Sequence, residues 1–326
     1  MRIKQAFATG LLSLTPALTG CLTHSVLKTR PPDVVYNATL DQLLQQVDKR
    51  YTSTQSATLF MDISSATGGS MEGKVKESID FSGYIVIQNP DHIRVVLKVP
   101  LFESIALQMV SDGKSFKMVV PPKSCAIVGS DTSLPTQKGL YSLRPAVILD
   151  SLLIRGLRPD EDISQTQDSR VIEAPKTKSD IIEGKALSKD LIQDPDYDVE
   201  FLSQPQGQVA HTLRVLHIDR TNLLPWRQDI YNADGKIETQ AFYSNYQKFG
   251  DITFPTKIVI QRPLDELGLT ITVGGRSTFN QKLDADTFDL PVPEGLATQN
   301  MDDPASAATN PCAHAAATPA APAPSK

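Results

Sequence analysis

Ser111 and Lys114 have the spacing of the S-x-x-K motif, in which a lysine takes the proton of a nucleophilic serine. That chemistry requires both side chains on adjacent turns of a helix. Here Asp112-Gly113 stands between two stretches of alternating apolar residues, and this pattern predicts a hairpin turn. The sequence also has no Gly-rich phosphate loop, no G-x-S-x-G and no H-E-x-x-H. The motifs therefore predict no catalytic nucleophile.

Three aspartates are spaced like the first ligands of a calcium-binding loop, namely Asp194, Asp196 and Asp198. Such a loop also needs glycine at its sixth position and glutamate at its twelfth. This chain has Val199 and Pro205 there. We therefore predict a solvated acidic turn.

The histidines and the remaining acidic pair are also poorly placed for chemistry. His211 and His217 would face the same side of one strand about 20 Å apart, too far to share a metal, and His92 has no predicted position near them. Glu161 and Asp162 would point to opposite faces of a strand. We expect no metal, no cofactor and no enzymatic activity.

Cys21 carries the clearest covalent chemistry in the chain. It follows Leu18-Thr19-Gly20, after a basic start and an apolar run shorter than the about 20 residues that span a bilayer. Leu-Thr-Gly-Cys resembles the bacterial lipobox. The resemblance implies cleavage of a signal peptide over residues 1–20, lipid attachment to the Cys21 sulfur and acylation of the new amino terminus. The alternative is an ordinary secretory signal that contains a cysteine.

An acylated Cys21 would hold the protein on a membrane without spanning it, because two or three buried acyl chains bind almost permanently. Residues 21–36, which include Pro31-Pro32, are predicted to form an extended tether. Leu22 follows the cysteine where an aspartate would resemble an inner-membrane retention signal. The resemblance therefore implies the periplasmic face of the outer membrane.

Charge and composition limit the remaining possibilities. The formal net charge is −5, and it becomes −7 when Arg2 and Lys4 leave with residues 1–20, so we expect no nucleic-acid partner. If Cys21 is acylated, Cys125 and Cys312 could pair, and this stays open. The Ala- and Pro-rich residues 297–326 are predicted to be a disordered tail, which leaves residues 37–296 as one β domain.

The first half of this domain has clear periodic patterns. Thr39 and Gln42 fit a capping box at the start of a helix whose apolar residues extend to Tyr51. A strand is predicted at 56–64. Two hairpins follow over 79–99 and 105–120, with strictly alternating apolar residues on each side of the turn.

The second half is predicted from weaker signals. A helix over 143–156 has Pro145 in its first turn and Gly156 at its end. The charged residues 158–195 are expected to form loop with one strand at most. Further strands are predicted at 197–202, 211–219, 226–231, 237–246, 254–261 and 267–279. The fold class is mainly antiparallel β.

Several segments resemble the bacterial lipoprotein-localisation (LolA/LolB-like) family, which comprises a periplasmic lipoprotein carrier, an outer-membrane lipoprotein receptor and looser relatives. These segments are Val110 to Phe116, Val119 to Pro122, Trp226 to Tyr231, Tyr243 to Tyr246, Phe254-Pro255 and Phe288 to Pro293. The resemblance implies an incomplete, half-open β-barrel whose concave face is closed by helices around an apolar cavity for acyl chains.

Apolar residues of the predicted strands are the candidates for lining this cavity, and methionines suit an adaptable wall because thioether side chains repack readily. The candidates are Met61, Ile85, Ile87, Val95, Leu97, Leu107, Met109, Met118 and Trp226. The alternative is that they fill a solid core.

Leu101 and Phe102 lie between the two predicted hairpins, where polar turn residues are expected. Adjacent residues of an extended loop cannot both face one core. We predict that one of them contacts membrane or cargo, as the resemblance to the receptor implies. The alternative is a bent edge that packs under a helix.

Two functions follow from these observations. The first is a membrane-anchored, acyl-chain-binding lipoprotein that receives or transfers lipoproteins or lipids at the outer membrane, with a periplasmic carrier protein as a possible partner. The second is a cell-envelope interaction or sensing module that uses the same fold without lipid transfer. Residues 158–195 and the tail make the chain longer than either family type.

Overall fold

The computed structural model describes residues 29–67, 76–100, 102, 104–133, 143–174, 190–205, 207, 209–303 and 305–306. The predicted signal peptide, Cys21, Leu101 and Cys312 lie outside the described residues. The chain divides into two compact units, a smaller one of residues 1–31 and 171–193 and a larger one of residues 32–170 and 194–326.

The described residues form two α-helices and a series of strands. The helices are α1 (Leu40–Ser53) and α2 (Pro145–Leu152). The strands are β1 (Thr29–Arg30), β2 (Ser56–Thr67), β3 (Lys76–Gln88), β4 (His92–Lys98), β5 (Ile105–Ser111), β6 (Ser115–Val120), β7 (Cys125–Ser130), β8 (Glu161–Glu173), β9 (Leu191–Ser203), β10 (Thr212–Asp219), β11 (Leu224–Tyr231), β12 (Ile237–Phe249), β13 (Ile252–Arg262), β14 (Leu267–Val273), β15 (Thr278–Phe279) and β16 (Ala297–Asn300).

In the larger unit the strands form one sheet in the order β9-β10-β11-β12-β13-β14-β2-β3-β4-β5-β6-β7-β16. Neighbouring strands are antiparallel except β7 and β16, which are parallel. Within the described residues the sheet does not close, since β16 and β9 lie at opposite ends of this order. The predicted mainly antiparallel, half-open β architecture is confirmed.

Alternation of apolar and polar residues explains how the sheet obtains one dry inner face. The register pairs Ile85 with Val95 and Val95 with Met109, so that consecutive strands bring apolar side chains to the same face. Gly83 completes this register, because a Cβ there would lie 1.9 Å from the Val96 carbonyl oxygen. Both predicted hairpins are confirmed.

Helix α1 begins at the predicted capping box. The Gln42 amide N–H donates to the Thr39 hydroxyl, and the Thr39 N–H donates to the Gln42 side chain. Its buried residues Leu43 and Val47 pack with inner-face residues of β9 and β10, including Phe201.

Helix α2 packs against the largest core cluster through Ile148, Leu149 and Leu152. It ends at Leu152, whereas the sequence predicted an end at Gly156. The earlier end follows from Leu153, which is extended and caps the helix through its N–H to Leu149 O.

The range 158–195, predicted as loop with one strand at most, contains one whole strand and the start of β9 at Leu191, while residues 175–189 lie outside the described residues. Residues Glu161–Glu173 form β8, a long strand that pairs with β9. Most of its side chains are exposed or half-buried, as expected of an edge strand that carries charges. That polarity obscured the strand pattern.

Both predicted flexible ends contain some ordered structure. In the smaller unit, Thr29–Arg30 of the predicted tether forms β1, which pairs in parallel with the start of β9 at Leu191 and Ile192. In the larger unit, Ala297–Asn300 of the predicted tail forms β16. None of the described helices combines the length and the apolar character needed to cross a membrane.

Candidate functional site

The larger unit contains a cavity of about 450 Å³, a volume within the range of about 300–1,000 Å³ found for small-molecule sites. It lies between the second half of α1, the segment that follows α2, and strands β12 and β13. Its apolar and aromatic lining residues are Val47, Tyr51, Leu152, Leu153, Ile154, Pro225, Tyr243, Tyr246, Ile252, Phe254 and Pro255.

The local sequence explains why these elements leave room here. Helix α1 buries Leu43 and Val47 against the sheet, so that Arg50 and Tyr51, one turn later, reach the cavity. The early end of α2 places Leu153 in an extended conformation on the opposite wall.

Seven polar or charged residues also line this space, namely Gln46, Lys49, Arg50, Ser53, Thr54, Asp251 and Thr253. The Tyr246 hydroxyl donates to Pro225 O at 2.7 Å, and the Arg50 guanidinium donates to Leu223 O at 3.3 Å. The Tyr243 hydroxyl has no hydrogen-bond partner, although the residue is only 4% exposed. Burial raises the pKa of Tyr243, so its hydroxyl stays protonated and is an available donor. The cavity can therefore hold an apolar chain that ends in a hydrogen-bond acceptor.

A second cavity, of about 240 Å³, lies next to the first and is strongly charged. Leu153 lines both cavities. The polar and charged residues that line the second cavity are Asp150, Arg155, Arg158, Glu161, Arg214 and Gln228, and Leu213, Ile230 and Tyr231 complete its lining.

Phe102 lies in the connection between β4 and β5, and 80% of it is exposed. A large aromatic side chain in this position gains no free energy from burial in the folded monomer. Val99 N–H donates to Ser104 O across the base of this connection. Leu101 lies outside the described residues.

Eight of the predicted lining residues lie close together, but in the largest core cluster and not around the 450 Å³ cavity. Met61, Ile85, Ile87, Val95, Leu97, Leu107, Met109 and Met118 all belong to the largest core cluster, with exposures of 5% or less. They pack with α2, and none of them lines the 450 Å³ cavity. Their contact with cargo stays a prediction.

Trp226 lies on the outer face of the sheet. Its indole contacts His217 on the neighbouring strand, with 5.4 Å between ring centroids. Leu216, Gln228 and Ala241 are paired across β10, β11 and β12, so their side chains share one face of the sheet. Tyr243, two residues after Ala241, lies on that face, whereas His217, next to Leu216, lies on the other. The indole N–H donates to Asp196 Oδ2 at 3.0 Å.

Trp226 belongs to a polar cluster that the sequence did not predict. The expected acidic turn is wrong, because Asp194 and Asp196 lie on β9 and are 2% and 3% exposed. Arg170 of β8 explains their burial, since its guanidinium donates to Asp194 at 2.7 Å and stacks 3.8 Å from the Trp226 ring. Contacts between distant strands therefore cover carboxylates that look solvent-exposed in the sequence.

His217 lies at the centre of this cluster. Its Nδ1 donates to Asp198 Oδ1 at 2.6 Å, and its Nε2 lies 3.5 Å from Asp229 Oδ2. Burial lowers the pKa of His217, but the carboxylates of Asp198 and Asp229 outweigh this and raise it to about 9.

Asp196, Asp198 and His217 each bring a ligand-type atom within 4.8 Å of the others, a spacing compatible with a cation. As an imidazolium, His217 already supplies positive charge at this point. The separation between His211 and His217 had suggested only that these two histidines share no metal. It carried no information about the aspartates on β9.

Sequence reasoning missed the residues that line the 450 Å³ cavity. The segment Tyr243 to Tyr246 was recognised only as a short motif, and Tyr51 only as the last apolar residue of a helix. The sequence around Tyr243 and Tyr246 has no simple periodicity that would have identified them, since the two tyrosines are three residues apart in a strand.

Comparisons with known proteins give a likeness in fold. A family model described as an uncharacterized protein matches residues 161–291. No curated protein matches the chain.

Among solved structures, a DUF1329 family protein from Desulfovibrio piger is 15% identical, covers 76% of this chain and 94% of its own, and has a TM-score of 0.49. A LolA superfamily protein from Nitrosomonas europaea is 12% identical, covers 78% and 99%, and has a TM-score of 0.45. A domain from Vibrio parahaemolyticus, described as belonging to outer membrane lipoprotein sorting, is 9% identical, covers 76% and 94%, and has a TM-score of 0.45. These likenesses are too distant to carry a function to this chain.

Proposed function

We propose that this protein is a lipid-anchored, acyl-chain-binding protein that receives or transfers lipids or lipoproteins at the outer membrane. The observation that carries the proposal is the cavity of about 450 Å³ between α1, the end of α2 and β12–β13, with its mostly apolar lining. The lipobox-like sequence at Cys21 supports the anchor and the location.

An acyl chain that leaves the membrane must be shielded from water. Exposing an acyl chain of about 16 carbons to water costs about 13 kcal/mol, at about 0.8 kcal/mol per methylene. A chain that crosses an aqueous compartment therefore needs an apolar shelter. A protein fixed to the membrane by its own acyl groups does not diffuse freely, so it suits the receiving end of a transfer better than the shuttle.

Phe102 supports contact with a membrane or with delivered cargo, because it is an exposed aromatic residue in the connection between β4 and β5. Burying such a side chain in an apolar medium contributes about 1.5–3 kcal/mol. We assign it the role of inserting into the bilayer or contacting the incoming acyl chain.

The decisive experiment uses residues 22–326, which keep every described residue, purified without detergent. Extracted lipids are identified by mass spectrometry, and a fluorescent fatty acid is titrated into the delipidated protein. Saturable binding to one site is expected. A protein that carries no lipid and binds no fatty acid would contradict the proposal and favour an envelope interaction module with a filled core.

A matched pair of variants tests whether the ligand binds in this cavity. Thr253 lines the cavity, whereas Thr272 is exposed on the neighbouring strand β14. Thr253→Trp fills the cavity with an indole and should abolish binding of the fatty acid. Thr272→Trp makes the same change outside the cavity and should leave binding unchanged.

A further inference from the structure

The smaller cavity has more positive than negative groups. Arg155 Nε lies 3.1 Å from Asp150 Oδ1, and Arg214 Nη2 lies 3.1 Å from Glu161 Oε2. Arg158 Nε lies 4.0 Å from the same Glu161, at its other oxygen. Three guanidinium groups therefore share two carboxylates, and the cavity carries one positive charge in excess.

The three arginines differ in their exposure and in the number of contacts that they make with the rest of the protein. Arg214 is only 10% exposed in its side chain and donates to the carbonyl oxygens of Arg155 and Gly156, both at 2.6 Å. It therefore holds the segment that follows α2. The Arg158 side chain is 50% exposed, and its ion pair is the longest of the three. Arg158 is thus the guanidinium that can turn toward a ligand.

The same cavity contains a buried acceptor that lacks a donor. Gln228 is 2% exposed, and its Nε2 donates to Asp150 O at 3.1 Å, which fixes the orientation of the amide. Its Oε1 has no hydrogen-bond partner. A buried acceptor of this kind costs free energy until a hydroxyl or amine donates to it.

The charged cavity and the apolar cavity are neighbours along one short segment. Leu152 and Ile154 line the larger cavity, Arg155 lines the smaller one, and Leu153 lines both. The alternation follows from the extended backbone at Leu153, which sends successive side chains in opposite directions.

We propose that the two cavities together bind one amphipathic lipid, with an acyl chain in the larger cavity and an anionic head group that carries a phosphodiester and a free hydroxyl in the smaller one. The phosphodiester accepts hydrogen bonds from Arg158 and Arg155, and the hydroxyl donates to Gln228 Oε1. Glycerophospholipids with a glycerol head group have this chemistry. The inference rests on the proposed function and specifies its ligand.

The test compares ligands that share one acyl chain and differ only in their head groups. Residues 22–326 are loaded with a fluorescent fatty acid, which is displaced by a lysophosphatidylglycerol or by the corresponding monoacylglycerol. The lysophosphatidylglycerol should bind about tenfold more tightly, as expected for a charge-assisted hydrogen bond. Arg158→Gln should remove this difference and leave the binding of monoacylglycerol unchanged.

Arg276→Gln is the matched control, because Arg276 is exposed and lines neither cavity. It should behave like the parent protein. Glycerophosphoglycerol alone, the soluble form of the head group, should displace little of the probe.

The possible outcomes separate the two proposals. Equal affinity for both lipids would overturn head-group recognition and leave acyl binding intact. Displacement by neither lipid, together with no binding of the fluorescent fatty acid, would overturn the proposed function itself. Strong binding of glycerophosphoglycerol that is independent of the acyl chain would make the smaller cavity a separate phosphate site and would overturn the joint site.

Discussion

The Nδ1 atom of His217 lies 2.6 Å from Oδ1 of Asp198, directly across the β9–β10 ladder. Asp229, Asp196, Arg227 and Arg170 surround this pair on the outer face of the sheet. Through its two ring nitrogens His217 joins β10 to Asp198 on β9 and to Asp229 on β11, and the strength of these contacts depends on whether the imidazole carries its second proton.

The free energy of unfolding should depend on pH because of the protonation of His217. The folded-state pKa of His217 is raised from 6.5 to about 9, so its contribution is complete below about pH 6.5 and disappears as the pH rises through about 9. We expect His217→Gln to lower the free energy of unfolding by a few kcal/mol at about pH 6 and by much less at about pH 10. Urea unfolding of both proteins across this range measures the difference. A difference that does not vary with pH would show that the pKa of His217 is the same in the folded and the unfolded protein.

Two tyrosines in the 450 Å³ cavity should respond oppositely to the same substitution. Tyr243→Phe removes a buried hydroxyl that has no partner, so it should raise the free energy of unfolding of the delipidated protein by about 1 kcal/mol. Tyr246→Phe removes the hydrogen bond to Pro225 O and should lower it by about 1 kcal/mol.

The same pair provides a ligand test. Tyr243→Phe should weaken binding of a fatty acid about tenfold if the hydroxyl donates to the ligand. Chemical denaturation and fluorescence titration measure the two effects. A loss of stability in Tyr243→Phe would mean that its hydroxyl already has a partner in the empty protein.

Phe102 should contribute to membrane binding. Phe102→Asp in residues 22–326 should reduce partitioning onto phospholipid vesicles at least about tenfold, because an inserted phenyl ring contributes about 1.5–3 kcal/mol. Vesicle sedimentation measures the partitioning. Phe60→Asp is the control, since Phe60 is an exposed aromatic residue on strand β2. Equal losses in both variants would indicate a general effect of charge.

Cys125 is disulfide-bonded, while the other two cysteines lie outside the described residues. If the Cys21 sulfur carries a lipid, Cys312 is the partner that remains. The parallel pairing of Ala297 with Cys125 brings the chain that leads to Cys312 alongside β7.

We expect peptide mapping under non-reducing conditions to recover Cys125 linked to Cys312. Cys312→Ala should then lower the free energy of unfolding by about 2–5 kcal/mol, and Cys21→Ala should not change it. A link between Cys125 and Cys21 would contradict both this pairing and the lipid anchor.

Local sequence was sufficient for the central hairpins and for the start of α1. Ile85, Ile87, Val95 and Leu97 alternate strictly, and one-residue slips in such strands would expose the whole apolar set. The capping box of Thr39 and Gln42 is equally local, since both partners lie within one helical turn. Signals of this kind need no information about the rest of the chain.

The failures have a common physical origin. Strand β8 is charged because it lies at an edge, and β16 forms only because β7 offers it a free edge. Helix α2 ends where Leu153 extends between two cavities, and not at Gly156. Each of these outcomes depends on a partner that is distant in sequence.

The sequence by itself determined that the chain forms amphipathic antiparallel strands with a dry face. Apolar residues alternate with polar ones at a period of two, and this pattern involves only residues that are neighbours in the chain. It also specified Cys21 as the candidate site of lipid attachment. Only the tertiary structure decided which side chains line a cavity, since Arg50 and Tyr243 come together from opposite parts of the chain. Only the tertiary structure buried Asp196 beneath Trp226 and placed His217 between two carboxylates. Desolvation and charge pairing depend on distances through space, and these do not exist until the strands are packed.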